Sequence, residues 1–238
     1  MTPTTTNPAA AKTEANGQPF PELPPEVIPN YDEIVVQDDA PMDSIYNEKQ
    51  QRLLTEPLYS AWPGPGEGRT FMALANVGFF YQLHHPPIVP DTMLALDTPT
   101  TWHPRQKENR SYFIWEIGKS PDVALEIVSD LRGGEDSEKK DTYARVGVLF
   151  YVIFDPDNVL KKGVLRAFVL NRRRYVPIDP KWFEEIGLGL TIWTGEYERQ
   201  QESWLRWCDR DGKPIPSGAE CAEQLREQLR RLGHEPQV

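Results

Sequence analysis

The sequence predicts an α/β (α+β) domain, a central mixed β-sheet flanked by helices. Three observations carry this. Residues 121–156, PDVALEIVSDLRGGEDSEKKDTYARVGVLFYVIFDP, read as strand, crossover helix and strand, the unit that joins parallel neighbours in one sheet. Short apolar runs separated by Pro, Gly and Asn clusters recur on both sides of it, as the strands of a larger sheet do. Helical apolar spacing appears upstream, over residues 42–60, and again after Ser217.

In chain order, residues 1–27 are rich in Thr, Ala, Asn and Pro and offer almost nothing to bury, so a disordered leader is expected. Residues 42–60 place Ile45, Leu53, Leu54 and Leu58 at helical spacing. Pro63-Gly64-Pro65-Gly66 is a turn cluster. Strands are expected at Phe71–Ala75, Val77–Gln82 and Met93–Leu96, then a polar loop over 97–110 and a strand at Tyr112–Ile117. Residues 123–129, VALEIVS, form a β-branched run that Gly133-Gly134 breaks. A charged helix follows, stopped by Gly147, and Leu149–Phe154 is a second buried strand. Val164–Leu170 and Tyr175–Ile178 flank a tight Asn171–Arg174 connection, a hairpin pattern. Leu188, Leu190 and Ile192 alternate, and Trp204–Trp207 before Asp211-Gly212 signals another hairpin. Ser217 with Glu220 is a capping box for a last helix, with Cys221, Leu225, Leu229 and Leu232 on one stripe. The expected organisation is a leader (1–27), a main domain (28–200) and a C-terminal hairpin and helix appendage (201–238).

The net charge of −10 means that the surface as a whole repels a polyanion. Nucleic-acid contact therefore needs a local basic patch, and Arg172-Arg173-Arg174 at a hairpin tip is the best candidate in sequence. The two cysteines, Cys208 and Cys221, lack CxxC spacing, which disfavours a disulfide framework or structural zinc and fits a reducing cytoplasm. No apolar run approaches about 18 residues, and the first 20 residues lack an apolar segment, so neither a membrane span nor a secretory signal is expected.

The chemistry centres on Glu126, an acid inside an apolar strand, which is costly unless a cation, a metal or hydrogen bonds compensate it. Lys139 follows on the helix, and Asp91 begins a strand straight after Pro90. Were the two strands neighbours, both carboxylates would project from one face. Two hard oxygen donors suit magnesium or manganese. Spacing alone leaves a plainer reading open, in which Asp91 and Asp122 merely begin strands and Glu126 pairs with a core arginine. His84, His85 and His103 are poor metal candidates, since adjacent residues of a strand point to opposite faces.

Pro121-Asp122, Glu126-Ile127-Val128-Ser129, Asp136, Glu138-Lys139, Tyr143, Gly147-Val148 and Tyr151 through Asp155-Pro156 occur in an order that resembles the Uma-type restriction endonuclease family. Asn76 and Val89-Pro90-Asp91 resemble its upstream elements, and the C-terminal part is similar to cyanobacterial members. The resemblance implies a restriction-endonuclease-like fold of the PD-(D/E)XK superfamily and metal-dependent cleavage of DNA, in preference to RNA. It implies Asp91 and Glu126 as magnesium (or manganese) ligands and Lys139 as the catalytic lysine. Val128 stands where the usual lysine would be, so the lysine comes from the helix, with Lys140 expected to point to solvent. Secondary candidates are Glu48, on the N-terminal helix, Asp122 and Lys140. One site per chain cuts one strand, so a homodimer is expected, with the Leu225–Leu232 stripe and Trp204 and Trp207 as apolar area for it. The rival, favoured by the negative charge, is a non-catalytic interaction protein that keeps the fold.

Overall fold

The computed structural model describes residues 44–234 apart from 67, 100–102, 104, 130 and 132. The expected leader lies outside these residues. The helices are α1 (Ile45–Ser60), α2 (Ile114–Ile117), α3 (Glu138–Val146) and α4 (Gly218–Arg231). The strands are β1 (Phe71–Ala75), β2 (Phe79–Phe80), β3 (Thr92–Leu96), β4 (Tyr112–Phe113), β5 (Val123–Ile127), β6 (Phe150–Phe154), β7 (Leu165–Asn171), β8 (Arg174–Ile178), β9 (Gly189–Tyr197) and β10 (Gln200–Cys208). Six of them form the central sheet in the order β1-β3-β5-β6-β7-β8. Within it β5 and β6 are parallel and the other neighbours antiparallel, so the sheet is mixed, as expected.

Strands β5 and β6 sit at the centre and are buried along their whole length. That explains why, Glu126 apart, their residues are apolar in succession, because a strand covered on both faces has no reason to alternate. On one face, Val123, Leu125, Ile127, Val152 and Phe154 pack against Leu54 and Leu58 of α1 and Leu205 and Trp207 of β10. On the other, Ala124, Val128, Tyr151 and Ile153 join Tyr143 of α3 with Phe79 and Tyr112. Phe154 is fully buried, and truncating such a residue to Ala costs about 3–5 kcal/mol. The parallel pair requires a crossover, which α3 supplies. It ends where Gly147 adopts the left-handed conformation (φ 84°) and its N–H bonds to the Tyr143 carbonyl.

Several local expectations are corrected. Tyr112–Ile117 is not one strand: the two-residue β4 turns directly into the single-turn α2. Of Val77–Gln82 only Phe79–Phe80 is strand, pairing in parallel with β4, and the 97–110 loop contains a 3-10 turn at Lys107–Asn109. Trp204–Trp207 does belong to a hairpin, but its partner is β9, through a turn at Glu198 and Arg199 with φ values of 46° and 66°. The Asp211-Gly212 turn leads only to a bridge between Cys208 and Pro214.

The boundary expected after residue 200 falls at the start of β10, inside the β9–β10 hairpin. Strand β10 is tied into the main core: Gln50 of α1 exchanges hydrogen bonds with the Leu205 backbone (2.8 and 2.9 Å), and Trp207 Nε1 donates to the Leu54 carbonyl at 2.8 Å. Trp204 and Trp207 are therefore core residues and add nothing to an exposed patch. Helix α4 has the expected capping box between Ser217 and Glu220. It buries none of its residues, and Leu225, Leu229 and Leu232 are exposed.

Candidate active site

The β3–β5 register pairs Leu94 with Val123, Met93 with Ala124 and Thr92 with Leu125. One further step sets Asp91 opposite Glu126, and directly opposed residues of neighbouring strands project from the same face. Local chemistry holds Asp91 there. The N–H of Asn76, left-handed at the end of β1 (φ 53°), donates to the Asp91 carbonyl at 3.0 Å. Asn tolerates that conformation better than most residues. The Asp91 carboxylate accepts from the Ile127 N–H at 2.6 Å through Oδ2, and from Gln51 Nε2 of α1 at 3.2 Å through Oδ1.

Glu126 shares its face with the apolar side chains of Ala124 and Val128 and is wholly inaccessible to solvent. Its carboxylate is met by two side chains of α3. Lys139 Nζ donates to Oε2 at 2.8 Å and the Tyr143 hydroxyl to Oε1 at 2.6 Å. Lys139 and Tyr143 are four residues apart and so share a helix face. Burial pushes the Glu126 carboxyl up to about 8, with Asp91 adding to the effect and Lys139 and Tyr143 opposing it. The Lys139 side chain keeps about a third of its surface in contact with solvent (32%). The acid is therefore dry, while the lysine that reaches it stays partly open to solvent.

The sequence reading missed three contributors. Glu135 is buried, and its carboxylate lies 4.0 Å from Lys139 Nζ. It folds back over Gly133 so closely that a Cβ there would fall 1.7 Å from its Oε1, which accounts for the glycine. Its carbonyl accepts from the Tyr151 hydroxyl at 2.6 Å. Tyr143 stands in the motif without a chemical role implied for it, and Gln51 lies 40 residues before Asp91 in sequence. A buried Gln on an apolar helix face was the one available signal for it.

Other candidates are placed elsewhere. Asp122, at the opposite end of β5, accepts from the Leu96 N–H (2.7 Å) and Lys119 Nζ (2.6 Å). Glu48 pairs with Arg52 at 2.7 Å, and Arg52 in turn holds Glu198 at 2.6 Å, so Gln51 is the α1 residue that reaches Asp91. Lys140 does not run to solvent. It lies over the Phe168 ring, 3.5 Å from its centroid, and 3.4 Å from Asp136. Val128 is buried in the apolar cluster, which leaves the lysine to α3. His84, His85 and His103 are exposed.

The Arg172–Arg174 tip sits at the wrong end of the sheet. Phe150, the first residue of β6, pairs with Val169 near that turn, whereas Glu126 lies level with Ile153 and Arg166 at the other end.

Among the described residues no group of three or more His, Cys, Asp or Glu side chains forms a metal cage. Asp91 and Glu126 offer two carboxylates, the kind of oxygen donor that hard divalent cations take one or two of while keeping water in their other positions. No helix among the described residues is long and apolar enough to cross a membrane. No curated protein matches the chain. The profile of the Uma2 family, described as "Putative restriction endonuclease", matches residues 30–185, a span that includes every element from α1 to β8. With more than half its length matched and the mixed sheet in place, the chain belongs to the Uma2 family, a PD-(D/E)XK-type family.

Proposed function

We propose that this protein is a metal-dependent endonuclease that hydrolyses DNA phosphodiester bonds, with Asp91 and Glu126 as the residues that hold magnesium or manganese. Such an ion, when bound, lowers the pKa of water and offsets charge on the phosphoryl group. The chain's own residues do the rest. The Ile127 N–H and Gln51 orient the Asp91 carboxylate, and Tyr143 fixes Glu126 from the side opposite Lys139. Lys139, half in and half out of the site, directs its ammonium at the phosphate and steadies charge developing on it. Without substrate that ammonium is held by Glu126.

The observation that carries this reading is the fully buried Glu126, paired with Lys139 and set opposite Asp91, in a member of a restriction-endonuclease family. The test is incubation of supercoiled plasmid with purified protein in magnesium, manganese or EDTA. The expected result is nicked or linear product with either metal, none in EDTA and none with Glu126→Ala. A folded protein that leaves plasmid intact under all conditions would favour a non-catalytic interaction protein.

The same reading includes a homodimer in the cytoplasm, supported by the exposed leucines of α4 and by two free thiols. Light scattering at micromolar concentration is expected to give twice 27.3 kDa. A single-chain mass contradicts the dimer.

A further inference from the structure

Beside the Glu126–Lys139 pair, a single carboxylate gathers three cations. Asp136, in the turn before α3, lies 3.4 Å from Lys140 Nζ and 3.0 Å from Arg166 Nη1, and also pairs with Lys162. These cations come from α3, from the loop after β6 and from β7. One negative charge against three leaves the group distinctly positive in a chain whose net charge is −10. The donors also outnumber the acceptors: a guanidinium and two ammonium groups carry far more N–H bonds than the roughly four acceptor sites of one carboxylate. Arg166 Nε and Nη2 are buried and have no hydrogen-bond partner among the described residues.

The cluster is aligned with the proposed site. Glu126 pairs with Ile153 and Ile153 with Arg166, so Asp91, Glu126, Ile153 and Arg166 form one row across the sheet and project from one face. Arg166 is two strands from Glu126, roughly 10 Å at the ordinary strand spacing. That distance is within a few nucleotides of a nucleic-acid strand, whose rise along the duplex axis is about 3.4 Å per nucleotide.

We infer that Lys140, Lys162 and Arg166 form a phosphate-binding subsite that grips the backbone of the substrate strand beside the scissile bond. Asp136 holds the three side chains in place. The inference rests on the proposed nuclease reading and adds where the strand is held. It also explains how an acidic protein engages a polyanion without the Arg172–Arg174 tip, which lies at the other end of the sheet. Contacts of this kind fix register and carry no sequence preference.

The test measures binding, separately from cleavage. Full-length protein carrying Glu126→Gln is titrated in EDTA against a fluorescein-labelled DNA duplex of about 20 base pairs, from about 50 to 200 mM KCl, with anisotropy as the readout. Lys162 is more than half exposed, so Lys162→Ala and Lys162→Glu endanger no core. Lys162→Ala is expected to weaken binding and to flatten the slope of log affinity against log salt by about 0.9, one phosphate contact. Lys162→Glu should bind more weakly still, and Arg172→Ala with Arg173→Ala should match the parent. Should the parent bind while both Lys162 variants bind equally well, the subsite is wrong and the nuclease reading stands. A parent that binds no duplex at any salt overturns the subsite, and plasmid cleavage in magnesium or manganese decides the nuclease reading separately.

Discussion

Strand β5 carries an acid near each end, and each acid meets a lysine. Asp122 pairs with Lys119 at 2.6 Å and Glu126 with Lys139 at 2.8 Å. The residue types and distances are nearly the same, but the surroundings differ. Asp122 also accepts the Leu96 N–H, and Lys119 also donates to the Leu96 carbonyl at 3.1 Å, so that pair is a clasp binding β5 to β3. It is partly open to water. Glu126 is sealed in an apolar face, held by α3 side chains with a second carboxylate alongside. A buried acid raised by its surroundings costs stability, and perturbed groups of this kind concentrate where chemistry is done. An acid–lysine pair takes its role from what else touches it.

The largest effect expected from breaking one pair and sparing the other is catalytic. Lys139→Met should lower the plasmid-cleavage rate by about 10²–10³-fold, the scale for removing one charge-stabilising donor. The circular dichroism spectrum should stay unchanged, and a Lys140→Met variant should keep far more of the rate.

The next effect is on stability against pH. The folded Glu126 carboxyl titrates near 8, above its ordinary 4.5, so the folded protein holds this proton more tightly than the unfolded chain does. Its contribution is fully present below about 4.5 and is lost as pH rises towards 8. Metal-free protein should therefore lose melting temperature over that window, and Glu126→Gln should flatten the loss. An unchanged pH profile in the variant would assign the slope to other groups.

Asp122→Asn weakens the clasp, leaving Lys119 without its carboxylate and the Leu96 N–H with a weaker acceptor. A cost of about 1–3 kcal/mol is expected, a drop of several degrees in melting temperature, with cleavage per folded molecule kept. The smallest effect belongs to Glu48→Gln. That side chain is in an exposed ion pair with Arg52, and such pairs contribute little. Both melting temperature and cleavage should stay close to those of the parent, whereas Gln51→Leu, which removes a donor to Asp91, should slow cleavage.

The parts of the fold legible in sequence are those with a dense apolar run or a clear stop signal. Glu126 apart, strands β5 and β6 are continuous apolar runs, and α3 between them ends on a glycine. Helix α2 is a single turn, too short to display helical spacing, and so Tyr112–Ile117 read as strand. The β9–β10 hairpin was hidden because its left-handed turn residues are Glu198 and Arg199, not the Asn or Gly that mark such turns. At the candidate site, the ordered motif singles out Asp91, Glu126 and Lys139, but Glu135 follows a Gly-Gly loop with no periodicity. Lys140, Lys162 and Arg166 were invisible as a group because β7 and the loop before it fold back onto α3. A run of three arginines drew attention only because it was contiguous.

The most direct measurement is the cleavage rate per folded molecule of Asp122→Asn beside that of Glu126→Gln, in the same magnesium buffer. Asp122→Asn is predicted to cleave like the parent despite its lower melting temperature, and Glu126→Gln to leave plasmid intact although it stays folded. Equal losses in both variants, or cleavage by Glu126→Gln at the parental rate, would contradict the assignment of one pair to the fold and the other to chemistry.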